Sequence, residues 1–290
     1  MIPTGQSKII LLLLFFLVSC TSGSPVVSAQ TTTIENSSPT NSPTATPFIQ
    51  LTKESCLAAG GKVEQLNIKS EYYDQGITFR VYTPPCYEEF PVQKYPVLYL
   101  IHGQGFDDEQ WDRVGVDEAA DALIGSGEVA PFIIVMPYDN YSLRPSVGFF
   151  DEAFLNELLP WIDENYRTLT DREHRAIGGL SRGASWAIHF ALSEPELFGA
   201  LGGHSPPVFI EEAKKVVEWL DAIPINRMPR VWLDIGDRDT ENIIHSAEFF
   251  EGLLAERNIP HEWHIYPGDH SEEYWSAHVE EYLLWYARDW

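Results

Sequence analysis

Arg175-Ala176-Ile177-Gly178-Gly179-Leu180-Ser181-Arg182-Gly183 is the stretch whose reading decides the fold. Ala176–Leu180 is short, apolar and glycine-rich, as suits a strand buried on both faces. A helical pattern, Ala184–Leu192, follows at once. Between them stands Gly179-x-Ser181-x-Gly183. A nucleophilic serine on a sharp strand-to-helix turn has strained backbone angles and needs small neighbours, and this spacing supplies them. Such a turn holds the hydroxyl at the edge of the sheet, above a helix N-terminus whose partial positive charge favours a developing oxyanion.

Outward from this turn the same alternation repeats. Val97–Ile101, Phe132–Met136, Val231–Ile235 and His261–Tyr266 are further apolar runs. They close on His102-Gly103, Pro137, Gly236 and Pro267-Gly268. Lys62–Ile68 and Ile77–Tyr82 read as two early strands able to pair antiparallel. Helical patterns lie at Glu152–Tyr166, Glu211–Leu220, Ile243–Arg257 and Trp275–Trp290, the first with Phe154, Leu158, Trp161 and Ile162 on one face. The expected class is α/β, with a mostly parallel, doubly wound sheet and helices on both faces. No stretch between the later strands is long enough for a separate cap domain, and residues 51–290 read as one domain.

Ligand sites in such sheets form beyond the carboxyl ends of the strands. A serine alcohol needs a base, and the base needs an orienting carboxylate. His270, in Tyr266-Pro267-Gly268-Asp269-His270, follows the last strand and is the expected base. Gly236-Asp237-Arg238-Asp239 follows the strand before it. Asp239 is the expected carboxylate because it lies far enough beyond the strand to reach over to His270; Asp237 is second, and Asp234 lies within the strand. The order Ser181, Asp239, His270 is that of α/β-hydrolases. At a fourth strand end, His102-Gly103-Gln104-Gly105 lets backbone N–H groups approach a substrate oxygen. The expected oxyanion hole is the backbone N–H of Arg182 and of Gln104, with His102 anchoring the loop; the choice between the N–H of Gln104 and that of Gly105 is open. Trp111 and Trp275 follow the oxyanion loop and the candidate base, so they are expected to line the substrate cleft.

Taken in order, Tyr99–Gly105, Trp111, Pro131–Pro137, Leu159–Asp163, Arg175–Gly183 and Tyr266–His270 with Trp275 resemble the esterase D-type "putative esterase" family of α/β-hydrolases. That family includes feruloyl, acetylxylan and siderophore (enterochelin-type) esterases, S-formylglutathione hydrolase and mycolyltransferases. The resemblance covers residues 60–290 and implies Ser181, Asp239 and His270 as the triad. The family often carries Met-Gly-Gly after the nucleophile, whereas this chain has Arg182-Gly183-Ala184. The backbone N–H survives that change, and a cation now flanks the site, to pair with a local acid or an acidic substrate group.

The resemblance implies ester hydrolysis through an acyl-enzyme, with no metal or organic cofactor. The expected substrate is a carbohydrate-linked acyl ester, feruloyl or acetyl, and the second choice is a siderophore trilactone. A reading of another class, a binding module on an inactive hydrolase fold, is disfavoured by the complete Ser, Asp and His set.

The N-terminal region reads as an address. Ile9–Val18 is an apolar run after Lys8, too short to span a bilayer and of the length of a signal-peptide core. It ends Leu17-Val18-Ser19-Cys20, which resembles a bacterial lipobox. Residues 1–19 are therefore expected to be a lipoprotein signal peptide, with Cys20 the lipidated residue and the membrane attachment. In residues 21–50, seventeen of thirty residues are Ser, Thr or Pro and Glu35 is the sole charge, so residues 20–50 read as a flexible tether. The domain would then be exported and held at the bacterial cell surface.

Charge argues against nucleic-acid binding and against docking on anionic lipid. The chain has 43 acidic and 19 basic residues, a net charge of −24, and Lys8 and Glu35 cancel within residues 1–50. A domain this acidic repels phosphate backbones and anionic lipid. Cys56 and Cys86 remain, an even pair in an oxidising compartment, and a disulfide is expected between them. Neither has a Cys or His at metal-binding spacing.

Overall fold

The computed structural model describes residues 53–139 and 144–290. The expected signal peptide, Cys20 and tether lie outside the described residues. The strands are β1 (Lys62–Ile68), β2 (Ile77–Thr83), β3 (Val97–Ile101), β4 (Ile133–Pro137), β5 (Arg175–Leu180), β6 (Ala200–His204), β7 (Arg230–Gly236) and β8 (Glu262–Tyr266). They form one sheet in the order β1-β2-β4-β3-β5-β6-β7-β8. β1 and β2 pair antiparallel, β2 runs antiparallel to β4, and every later pairing is parallel.

The α-helices are α1 (Lys53–Ala59), α2 (Gln110–Arg113), α3 (Val116–Ser126), α4 (Phe150–Ala153), α5 (Leu159–Asn165), α6 (Arg182–Ser193), α7 (Ala213–Ala222), α8 (Glu241–Glu256) and α9 (Glu272–Ala287). They cover both faces, and β3 shows why. Its side chains alternate: Val97, Tyr99 and Ile101 point into a core with α4–α8, while Leu98 and Leu100 point into a second core with α2, α3 and α9. A strand buried on both faces can be apolar at every position, as β3, β4 and β5 nearly are.

Five elements differ from expectation. β6, Ala200-Leu201-Gly202-Gly203-His204, is not evident in the sequence, because two adjacent glycines have little strand propensity. Those glycines make room instead. A Cβ on Gly202, or on Gly178 beside it in β5, would lie 1.8 Å from the Tyr286 hydroxyl. The helix expected from Glu152 starts at Phe150 and carries a π-helical turn at Phe154–Leu158 before α5. Pro160 explains the wide turn, since its ring has no N–H to donate and clashes with a regular preceding turn. α1, α2 and α3 lie in stretches not read as helix. Cys56 in α1 and Cys86 after β2 are joined by a disulfide.

Candidate active site

The strand β5 ends on Ser181, which takes φ 51° and ψ −122°. Left-handed φ at a non-glycine residue is strained and persists only where the surroundings enforce it. Here they do. A Cβ on Gly179 would stand 2.2 Å from the carbonyl carbon of Gly183, and one on Gly183 would stand 2.0 Å from the Ile101 oxygen. The elbow therefore folds tightly against itself and against the end of β3. Ser181 N–H donates to the His204 oxygen at 2.9 Å, which ties the elbow to β6. Arg182 opens the twelve-residue α6, so the serine sits at that helix's N-terminus.

Ser181 Oγ lies 2.9 Å from His270 Nε2. His270 Nδ1 lies 2.9 and 3.0 Å from the two Asp239 oxygens. Nδ1–H donating to Asp239 leaves Nε2 to accept from the serine hydroxyl. Asp239 is itself held, since its Oδ1 accepts from the Thr240 N–H at 2.5 Å. Asp237 serves the loop instead. Its Oδ1 accepts from Gly268 N–H at 2.9 Å, clamping the segment that carries His270. Ser181 is 9% exposed and the His270 side chain 25%, so the pair is reachable from outside.

The loop after β3 is fixed by its own side chains. Gly103 N–H donates to Gln110 Oε1 at 2.7 Å. His102 Nδ1–H donates to the Gly103 oxygen at 2.8 Å, and its Nε2 accepts from Asp139 N–H at 3.2 Å. Both ring nitrogens are thus used by a neutral imidazole. Burial pushes its pKa below the ordinary histidine value, despite the pull of Asp139. Gln104 itself is exposed and lines a cavity of about 320 Å³ with Ser181, Arg182, Val208, Ile210 and Ile243.

The Arg182 side chain forms a buried ion pair with Asp139, just past the end of β4. Of the two partners expected for this cation, a local acid and an acidic substrate group, the local acid is present. Asp139 escapes a reading of the sequence although the strand-end rule points to it, two residues beyond β4. Val208, Ile210 and Ile243 escape because they reach Ser181 from the loop after β6 and from α8.

Trp111 and Trp275 require a correction. They are 1% and 2% exposed, so neither offers a ring face to a cleft. Each lies on the sheet-facing side of its helix. Trp111 Nε1–H donates to the Ile101 oxygen at 3.1 Å. Trp275 Nε1–H donates to Ser205 Oγ at 3.3 Å, and its ring stands edge-on to His270 with centroids 5.0 Å apart. They brace the site from behind.

The chain is 34% identical over 166 residues to an endo-1,4-beta-xylanase/feruloyl esterase of Xylanibacter ruminicola, covering 53% of this chain and 23% of that protein. It is 27% identical over 229 residues to the esterase Rv1288 of Mycobacterium tuberculosis, covering 61% of this chain and 48% of that one. It thus spans half or less of the length of these curated relatives. A solved ferulic acid esterase superposes with a TM-score of 0.71 at 26% identity, over 80% of this chain and 99% of that one. The fold is that of the α/β-hydrolases. The model of the family described as "Putative esterase" matches residues 70–286, and the chain belongs to that family.

Proposed function

We propose that the domain is a serine carboxylic-ester hydrolase working through an acyl-enzyme. The observation that carries this reading is the contact chain Ser181 Oγ to His270 Nε2 at 2.9 Å and His270 Nδ1 to Asp239 at 2.9 Å, at a serine with left-handed φ. His270 takes the serine proton as Oγ attacks the ester carbonyl. The backbone N–H groups of Arg182 and Gln104 hold the oxyanion. His270 then gives the proton to the leaving alkoxide. Water, deprotonated by the same imidazole, releases the acid and restores Ser181. Asp239 stays ionised and fixes the His270 tautomer.

The substrate is a carbohydrate-linked acyl ester, feruloyl or acetyl. Names among the relatives support this, and so does space. Beside the 320 Å³ cavity lies an apolar hollow of about 500 Å³, lined by Pro207, Val208, Ile210, Ala213 and Phe249, and the two share Pro207, Val208, Ile210 and Asn242. Sites of this size hold ligands larger than an acetyl group. The protein works outside the cell, attached through lipidated Cys20; the support is Leu17-Val18-Ser19-Cys20 after an apolar run.

The test is hydrolysis of 4-nitrophenyl acetate and methyl ferulate by residues 51–290 and by its Ser181→Ala variant. Parent turnover should fall by about 10⁶-fold in the variant, in line with removal of a triad serine. Equal activity in the two proteins, or a folded parent inert toward every ester tried, would overturn the reading.

A further inference from the structure

A second Asp–His pair lies beneath the site, and nothing in the chemistry above uses it. Asp234 is wholly buried near the end of β7, and both its oxygens are filled. Oδ1 accepts from His204 Nδ1–H at 2.6 Å and from Trp232 Nε1–H at 3.0 Å. Oδ2 accepts from the Tyr274 hydroxyl at 2.7 Å and the Tyr282 hydroxyl at 2.8 Å. Burial works to raise this carboxyl's pKa, but His204 and the hydroxyl donors outweigh it and hold the group below the ordinary range. A buried carboxylate with four donors is a rigid anchor, since any displacement strands a charge.

Three neighbours of Asp234, namely His204, Ser205 and Tyr274, lead to a triad residue. His204, whose ring it holds, gives its carbonyl oxygen to Ser181 N–H. Ser205 N–H donates to the main-chain carbonyl oxygen of Asp234 at 2.8 Å, and Ser205 Oγ accepts from Trp275 Nε1–H, whose ring stands against His270. Tyr274 packs over Gly268, two residues before His270; a Cβ there would lie 2.4 Å from its ring. Asp234 also shares β7 with the loop bearing Asp239.

We propose that Asp234 is a positioning residue for the triad: through Tyr274 and His204 it fixes where the His270 loop and the Ser181 elbow stand relative to each other. The inference rests on the triad reading above. Its most direct link is the Tyr274 hydroxyl, because α9 starts two residues after His270 and Tyr274 is in its first turn.

The experiment compares Tyr274→Phe with Tyr82→Phe in the full chain. Tyr82 is a buried tyrosine whose hydroxyl donates to Asp121 at 2.7 Å, and Asp121 belongs to α3, with no link to the triad. Each variant loses one buried phenolic hydrogen bond. Two readouts are taken: kcat and KM on 4-nitrophenyl acetate, and the downfield proton resonance of His270 Nδ1–H on Asp239, identified by its loss in His270→Ala. Tyr274→Phe should lower kcat by about 10- to 100-fold, the scale of a small misplacement of reacting groups, with KM within about twofold. Its resonance should shift or broaden, and Tyr82→Phe should match the parent in both. A Tyr274→Phe protein with parental kcat and resonance would overturn the proposal. So would an equal loss in Tyr82→Phe, which would mark general destabilisation. The resonance reports His270 geometry whether or not the ester turns over, so a failure of the esterase reading shows separately, as a parent inert to esters with the resonance responses intact.

Discussion

At the carboxyl ends of neighbouring strands, two Asp–His pairs share one geometry and differ in what lies on the far side of the imidazole. His204 meets Asp234 at 2.6 Å and turns its other nitrogen to the Tyr286 hydroxyl at 3.1 Å. His270 meets Asp239 at 2.9 Å and turns its other nitrogen to Ser181. Burial pushes the Tyr286 hydroxyl far above its ordinary pKa, so that phenol stays neutral, sealed under Gly178 and Gly202. Ser181 stands at a strained turn with a cavity in front of it. An Asp–His pair is therefore not in itself a catalytic device. On the function proposed above, a hydroxyl with room for a carbonyl in front of it makes the outer pair one, and the same pair sealed from solvent is proposed as a fastening.

This contrast can be broken most sharply at the outer pair. Asp239→Asn should lower kcat by about 10⁴-fold, because an amide favours the wrong imidazole tautomer. The protein should stay folded by circular dichroism. A loss under tenfold would mean His270 does not depend on that carboxylate. The inner pair should respond in stability. Asp234→Ala leaves His204 and three hydroxyl or indole donors buried without their acceptor, and should cost about 3–5 kcal/mol in urea unfolding. A cost under about 1 kcal/mol would show that the inner pair fastens nothing.

The smallest effect separates the two by pH. The Asp234 carboxyl lies below its ordinary value in the folded protein. Its stabilisation is then complete above the unfolded carboxyl pKa of about 3.9 and is lost as pH falls through the lower folded value. Removing it in Asp234→Asn should flatten the acid limb of stability against pH by at most about 1.4 kcal/mol per pH unit. An unchanged limb would mean that the carboxyl titrates alike in the folded and unfolded chain.

The outer pair is legible in the sequence and the inner one is not, for a physical reason. Ser181, Asp239 and His270 each sit just past an apolar run, where strand-end logic looks. Asp234 sits inside a run and reads as a strand residue, and His204 ends a strand that Gly202-Gly203 disguises. A glycine placed for a hydroxyl coming from α9 looks, locally, like a turn. Trp111 and Trp275 mislead for the same kind of reason. Proximity in sequence to Gln104 and His270 locates them near the site but cannot say whether they face it or support it. Asp139 needs the spatial neighbourhood of β4 and β5, which lie on either side of β3.

The disulfide has a consequence of a mechanical kind. Cys56 and Cys86 are 30 residues apart, and β1 and β2 lie wholly between them. A pull arriving along the chain from before residue 53 reaches Cys56 and passes through the sulfur bridge to Cys86. The edge hairpin is then outside the line of force. Roughly 100 Å of contour length stays locked while the bridge holds. A reductant would release that slack and let the load peel β1 and β2 away first, so the bond acts as a strain relief for a domain pulled from that side.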